Sequence, residues 1–357
     1  MTRVLIAASG TGGHIFPALS VAESFPCSWQ VIWLGVPDRM ETKILPERYQ
    51  LRTISGGGLQ GNLFQKICSF LQLLFSTYGV VDLLKKKQIN VVFSTGGYIA
   101  APAIMAAFIC RIPIVLHESN AQPGRVVKLM GRLCDVVALG FAEASKELKG
   151  CRTIFTGTPV RSSFLAFKKL PMWVPPGEGP LIVIMGGSQG AVGLNRMVRL
   201  IAPKLLQLGC RIVHLTGQND SEYRQYIHPN LIEIEFTDEI PSLLQNADIA
   251  VSRAGASAIS ELSICGTPAV LVPYPQAKDN HQEVNAMTVA SQGAAIIVHQ
   301  NSNNEEALFN AIVNLLDLRE KDTRRNKQKL FEMKNAMKNI SMVNSKETLL
   351  GIIGNFL

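Results

Sequence analysis

Two copies of one unit, an apolar run followed by a glycine turn and a helix start, restrict this chain more than anything else in it. The first copy is Val4-Leu5-Ile6-Ala7-Ala8, then Ser9-Gly10-Thr11-Gly12-Gly13-His14, then a helical pattern from Pro17 to Glu23. The second is Leu181-Ile182-Val183-Ile184-Met185, then Gly186-Gly187-Ser188-Gln189-Gly190-Ala191. Glycine lets the backbone approach a ligand closely, and the N–H groups and dipole of a helix start favour negative charge there. By itself such a turn serves nucleotide-binding proteins of many chemistries. The histidine closing the first copy sets it apart.

Further short apolar runs extend both halves. Strands are expected at 4–8, 31–34, 91–94, 114–117, 136–139 and 153–155, and then at 181–185, 211–215, 232–235, 249–251, 269–272 and 295–298. Segments long enough for crossover helices lie between them, which argues for parallel, doubly wound sheets. Residues 168–180 are rich in Pro and Gly without periodicity and read as a linker. The economical architecture is α/β, with two Rossmann-like doubly wound domains and a cleft between them. We place the domains at 1–160 and 161–357, with the linker at about 161–180. A final helix is expected within 339–357, open to packing back on the first domain.

At 357 residues the chain is long enough for two such cores, and 47% hydrophobic against 17% charged residues is a globular composition. Its seven cysteines are scattered, odd in number and without a C-x-x-C pair, which argues against a disulfide framework or a zinc site. Residues 1–8 read as a first strand and not as a signal peptide. The oily stretch 99–116 is broken by Pro102, Arg111 and Pro113, and 63–84 by Gln65, Lys66, Gln72 and Asp82, so neither is a membrane span. Charge is uneven: residues 1–157 hold 16 Lys/Arg against 9 Asp/Glu, and the remainder 19 against 18. Almost all of the +8 excess therefore lies in the first half, which invites a polyanionic partner, either nucleic acid or an anionic membrane surface.

One helical segment departs from the crossover pattern. Leu63, Phe64, Ile67, Phe70, Leu71, Leu74 and Phe75 recur at helical spacing ahead of Lys85, Lys86 and Lys87. This is either a core crossover helix with a solvated lysine end, or a surface helix whose oily face meets lipid while its lysines meet anionic headgroups. The charge asymmetry tilts the reading towards the membrane.

Three further stretches carry chemistry. Gly96-Gly97 follows the run 91–94, and Ser252-Arg253-Ala254-Gly255-Ala256-Ser257-Ala258-Ile259-Ser260-Glu261 follows the run at 249–251. Glu261, early on a helix, either favours the helix dipole or accepts hydrogen bonds from the vicinal hydroxyls of a ribose. The third, Asp279-Asn280-His281-Gln282-Glu283-Val284-Asn285, follows another apolar strand. Asp279 or Asn280 is a candidate N-cap, and so many amides together suit sugar hydroxyls, which both donate and accept. A dinucleotide-dependent oxidoreductase is disfavoured. Neither turn spells G-x-G-x-x-G, and the run at 31–34 ends in Gly35 where a ribose-binding acid is expected.

These pieces stand together in a recognisable order: Thr11-Gly12-Gly13-His14, Asp38-Arg39-Met40-Glu41, Gly96-Gly97-Tyr98, His117-Glu118-Ser119-Asn120, Gly157-Thr158-Pro159-Val160-Arg161, Gly186 to Ala191, Ser252 to Ala256 and Asp279 to Ala286. Up to about Ala294 the chain resembles the MurG family, GT-B glycosyltransferases that add N-acetylglucosamine to lipid I in peptidoglycan synthesis. It departs from the family pattern at Ser119 (usually Gln) and Thr158 (usually Asn), while Asn120 and Arg161 are kept.

The resemblance implies a GT-B fold and an inverting transfer from UDP-N-acetylglucosamine to undecaprenyl-linked lipid I, forming lipid II. It places the nucleotide mainly in the second domain. Glu261 takes the ribose, Ala256, Ser257, Ala258, Ile259 and Ser260 lie near the nucleotide, and Thr237 reads uracil. Ser188, Arg161 and the helix start after Gly187 take the diphosphate, and Gln189 also binds the donor. Gln282 and Asn120 contact the donor sugar, and Asn285 also binds the donor. Thr11, Gly12 and Gly13 also meet the donor, while Gly12, Gly13, Gly96, Gly97 and Tyr98 face the acceptor. His14 is the candidate base, since an imidazole suits proton removal near neutrality, the alternative being that it only positions a phosphate or caps the turn. No Asp-x-Asp metal motif is present, so no metal or other cofactor is expected. The acceptor's lipid tail implies a peripheral enzyme at the cytoplasmic face of the inner membrane, with other cell-wall or division proteins as further partners. A UDP-sugar 2-epimerase shares the fold but needs a set of carboxylates for proton transfer, which is not evident here. A nucleic-acid binder lacks a recognition module. A non-catalytic membrane scaffold is the remaining alternative.

Overall fold

The computed structural model describes residues 1–54, 63–187, 190–220, 226–301, 304–318 and 323–357, without the side chains of 63–71 and 323–327. The chain divides into two compact units, Met1–Arg161 with Met342–Leu357, and Ser162–Ser341.

The first unit holds seven strands, β1 (Arg3–Ala7), β2 (Gln30–Gly35), β3 (Gln50–Thr53), β4 (Val91–Ser94), β5 (Ile114–Glu118), β6 (Val136–Leu139) and β7 (Thr153–Phe155). All are parallel, in the order β3-β2-β1-β4-β5-β6-β7. The second holds β8 (Leu181–Met185), β9 (Arg211–Leu215), β10 (Leu231–Ile234), β11 (Ile249–Ser252), β12 (Ala269–Leu271) and β13 (Ala295–Ile297), parallel in the order β10-β9-β8-β11-β12-β13. The α-helices are α1 (Gly12–Ala22), α2 (Glu41–Ile44), α3 (Leu63–Lys86), α4 (Ala100–Cys110), α5 (Arg125–Met130), α6 (Val192–Gln207), α7 (Ile240–Asn246), α8 (Ala256–Cys265), α9 (His281–Ser291), α10 (Glu305–Leu316), α11 (Thr323–Asn339) and α12 (Ser345–Gly354).

Every strand read from an apolar run is present, within a residue or so at each end. Parallel strands are covered on both faces, so they appear in the sequence as continuous hydrophobic runs. β3 has no such run. Gln50-Leu51-Arg52-Thr53 pairs on one side only, along the edge of the sheet, and carries the polar residues an edge tolerates. The final helix expected within 339–357 is α12, which begins at Ser345 after α11 has ended at Asn339. The intervening Met342 packs on Gly157, which adopts φ +69° and has no room for a Cβ.

In the first unit, Leu349, Ile352 and Ile353 of α12 join Ile15 and Val21 of α1 against Val4, Ile6 and Val115 on one face of the sheet. Val80 and Leu84 of α3, with Ala103 and Ala107 of α4, cover Leu5, Val92 and Leu116 on the other. In the second unit, Leu194, Val198 and Leu205 of α6 pack with Leu308 and Ile312 of α10 over Ile184, Ile212 and Val251.

The strand orders set one switch point in each sheet. In each sheet the chain builds outward in one direction and then restarts on the other side of its first strand. The reversal falls between β1 and β4, and between β8 and β11. Crossovers diverge at such a point, leaving a crevice beyond the carboxyl ends of the two strands. Ala7 pairs with Ser94, so the turns starting at Ser9 and at Thr95 are neighbours. Met185 pairs with Ser252, which places Gly186 next to Arg253.

Candidate active site

At the first switch point, Gly10 adopts φ +105° and the chain enters α1 at Gly12 without a side-chain cap. Thr11 and Gly13 are exposed at this helix start. His14 sits on the first turn, and its Nδ1 lies 2.7 Å from the carbonyl oxygen of Thr95, while Thr95 Oγ1 donates to the carbonyl of His14 at 2.9 Å. A carbonyl only accepts, so Nδ1 carries the hydrogen, and in the neutral ring the lone pair falls to Nε2. Gly96 and Gly97 adopt φ +86° and +76°, and a Cβ on either would stand 3.8 Å or 3.6 Å from the His14 ring. The half-buried Tyr98 follows, just ahead of α4.

Two buried carboxylates hold this neighbourhood in shape. Glu41 accepts from the Ser9 hydroxyl and from the N–H groups of Gly10 (3.3 Å) and Val36 (2.9 Å). Glu118 accepts both the backbone N–H and the side-chain amide of Asn120, at 2.9 Å and 3.0 Å, and the N–H of Gly124 at 2.8 Å. Both carboxylates lie in the stretches quoted above, but neither drew a role from the sequence. A lone glutamate gives no signal of which distant N–H groups it will meet.

The second histidine here is of another kind. His117 is fully buried, its Nε2 3.0 Å from the Gly157 carbonyl and its Nδ1 3.3 Å from the Ser119 hydroxyl. Burial pushes it down to about 4, so the ring is neutral and structural. Ser119 thus supplies the hydrogen bond that His117 Nδ1 can accept, and Thr158 packs against Gly140 where no side chain would fit. Arg161 closes the first unit with its guanidinium 5.2 Å from the centre of the Phe16 ring.

At the second switch point, Gly187 and Gly190 adopt φ +95° and +84°, and a Cβ on Gly186 would collide with Ala191. Ser188 and Gln189 lie outside the described residues. Beside this turn, Arg253 is buried and donates to the carbonyls of Val272 (3.0 Å) and Pro273 (3.2 Å) and to Gln300. Burial pulls it down to about 10, which still leaves a cation at neutral pH. α8 then opens at Ala256. Ala256 and Ile259 are buried, Ser257, Ala258 and Glu261 are half-buried, and Ser260 returns its hydroxyl to the Ala256 carbonyl at 3.0 Å.

The amide-rich stretch divides by burial. Gln282 Oε1 accepts the Tyr274 N–H at 2.9 Å, which turns its amide nitrogen away from that strand end. Asn285 is fully buried and donates to the Ala254 carbonyl at 3.1 Å, bracing the turn into α8. Asp279 and Asn280 take φ +52° and +56°, and Asn280 occupies the start of α9 without a side-chain cap bond. A conventional N-cap needs extended backbone, so this differs from the capping expected of either residue. Thr237 is half-buried, its Oγ1 accepting the Glu239 N–H at 3.1 Å.

On the first unit's outer helices, Leu74, Phe75 and Tyr78 of α3 are exposed, Phe75 by 77%. Lys85 and Lys86 are exposed beyond them and Lys87 is half-buried, while the side chains of Leu63, Phe64, Ile67, Phe70 and Leu71 lie outside the described residues. α4 and α5 pack alongside and expose Phe108, Ile109 and Leu129. These three escaped the sequence reading, since a short helix with one buried and one bare apolar face looks like core throughout. Among the described residues no helix is long and apolar enough to cross a membrane, and no group of three His, Cys, Asp or Glu is placed to hold a metal ion.

Two family models match the chain. Residues 4–139 match the glycosyltransferase family 28 N-terminal domain, and residues 181–340 match the family's C-terminal domain. A protein of Prochlorococcus marinus (strain MIT 9303) is 56% identical over 353 residues, covering 99% of this chain and 98% of that one. One from Synechococcus sp. (strain CC9605) is 54% identical, covering 99% of each. Both are named UDP-N-acetylglucosamine--N-acetylmuramyl-(pentapeptide) pyrophosphoryl-undecaprenol N-acetylglucosamine transferase. The crystal structure of Acinetobacter baumannii MurG superposes with a TM-score of 0.77 at 29% identity, covering 99% of this chain and all of that one.

Proposed function

The chain belongs to glycosyltransferase family 28, and on that premise we propose that it moves N-acetylglucosamine from UDP-N-acetylglucosamine to the muramyl sugar of undecaprenyl-diphosphate-linked muramyl-pentapeptide, forming lipid II. The observation that carries this reading is identity of 56% along essentially the whole chain to a transferase so named.

The residues divide the work as follows. His14 Nε2, its lone pair set by the Nδ1 bond to Thr95, takes the proton of the acceptor hydroxyl. The freed oxygen bonds to the anomeric carbon as the bond from that carbon to the UDP oxygen breaks, and the electron pair leaves with UDP from the opposite face. Gly12, Gly13, Gly96, Gly97 and Tyr98 receive the acceptor around that imidazole. In the second unit the turn at Gly186 to Gly190 and the start of α6 take the diphosphate, with Arg161 contributing positive charge, so that the departing charge is met by N–H groups and a cation. Glu261 holds the ribose, Thr237 the uracil, and Gln282 and Asn120 the sugar.

The enzyme works as a peripheral protein at the cytoplasmic face of the inner membrane. Exposed Leu74, Phe75, Tyr78, Phe108, Ile109 and Leu129 support this, together with Lys85, Lys86 and the positive excess of the first 157 residues.

Radiolabelled UDP-N-acetylglucosamine incubated with lipid I tests the reading. A lipid-linked disaccharide is the expected product. Label that stays on UDP, or passes into an epimeric UDP-sugar, overturns it.

A further inference from the structure

We propose that His214, at the centre of the second sheet, is a positioning residue for the second glycine turn and acts there as a double hydrogen-bond donor. The proposal rests on the reading above that this turn takes the donor's diphosphate. His214 is almost completely buried, in register between Ile184 of β8 and Glu233 of β10. Its Nδ1 lies 2.9 Å from Glu233 Oε1 and its Nε2 3.0 Å from Asn195 Oδ1. The Asn195 amide has only one satisfactory orientation. Its Nδ2 reaches the Thr216 carbonyl at 2.9 Å and the Asp220 carboxylate at 2.7 Å, and both of those groups only accept. Asn195 Oδ1 is therefore an acceptor towards the imidazole, and so is Glu233 on the other side. Both bonds are made only by an imidazole carrying hydrogen on each nitrogen.

The surroundings balance that charge. Arg199 places Nε 3.0 Å from Glu233 and its terminal nitrogen 2.8 Å from Asp220. Burial opposes ionisation of Glu233, but the bonds from His214 and Arg199 outweigh it and hold the carboxyl below its ordinary range. Two cationic and two anionic groups thus close one circuit, and such a buried network is rigid only while every member is present.

The circuit ends on the glycine turn. Asn195 lies on the first turn of α6 and anchors the Thr216 carbonyl just past β9. Gly190 rests on that same carbonyl so closely that a Cβ there would stand 2.7 Å from it, and its own N–H is tied to Gly187 at 2.9 Å. His214 holds Asn195, Asn195 holds Thr216, and Thr216 seats Gly190.

Two measurements on the whole chain test this. In the 15N spectrum of the wild-type protein at pH 7, the His214 imidazole should show both nitrogens protonated, and one bare ring nitrogen refutes the double donor. By calorimetry, His214→Gln should weaken UDP binding about tenfold, the loss of roughly one buried hydrogen bond, and leave uridine binding unchanged. Equal weakening of both ligands, or of neither, overturns the positioning role. Should His214→Gln not fold, Asn195→Ser keeps the His214–Glu233 bond while releasing Thr216, and must show the same split. A wild-type chain that binds UDP no better than uridine overturns the diphosphate reading and this assignment with it, a result distinct from any variant's.

Discussion

His14 and Thr95 bind each other twice, ring Nδ1 to carbonyl oxygen at 2.7 Å and threonine hydroxyl to histidine carbonyl at 2.9 Å. The pair joins the turns that follow β1 and β4. Replacing His14 by Ala should lower kcat at least about a hundredfold, the usual contribution of a positioned base, with the affinity for UDP changed less than about twofold. Near-normal turnover in a lipid I assay would remove His14 from the base role.

Glu41 is the expected weak point of the first turn's stability. Glu41→Ala strips acceptors from the Ser9 hydroxyl and two backbone N–H groups in a buried site, and should cost roughly 3 kcal/mol in urea unfolding. Glu41→Gln, which keeps one acceptor oxygen, should cost less. Equal stability of all three proteins would mean that the turn does not depend on this carboxylate.

His117 makes the first unit sensitive to acid. Its folded value of about 4 lies below the ordinary 6.5, so between those values the unfolded chain binds a proton that the folded chain refuses. Stability is complete above pH 6.5 and falls as the pH drops towards 4, by about 3 kcal/mol for this group. His117→Gln should flatten that part of the pH–stability curve. A variant whose stability falls as steeply as the wild type's would assign the acid sensitivity to other groups.

Phe75 and Phe108 are 77% and 55% exposed, so changing both to Ser should leave thermal unfolding nearly untouched. Lost apolar contact with lipid should nevertheless reduce cosedimentation with anionic vesicles about tenfold. Unaltered vesicle binding with intact folding would exclude this face as the lipid contact.

Much of the architecture was legible because its cause is local. An apolar run closed by a glycine turn can hardly be anything but a buried parallel strand feeding a helix, and this chain contains such units in both halves. The edge strand β3 was not legible, since Gln50-Leu51-Arg52-Thr53 needs no apolar run to pair on one side. Nor was the split of α3, where Val80 and Leu84 are buried while Phe75 and Tyr78 are bare. Helical spacing shows that an apolar stripe exists and not whether protein covers it.

The sequence by itself determined the two glycine turns, the parallel doubly wound sheets that carry them, and His14 beside the first. Only the tertiary structure decided what surrounds each histidine. His14, His117 and His214 are alike as letters, yet one sets its Nδ1 against the Thr95 carbonyl, one is buried neutral between Gly157 and Ser119, and one spans Asn195 and Glu233. The hydrogen-bond partners lie 2 to 81 positions away in the chain, and strand register and burial bring them together where local pattern cannot.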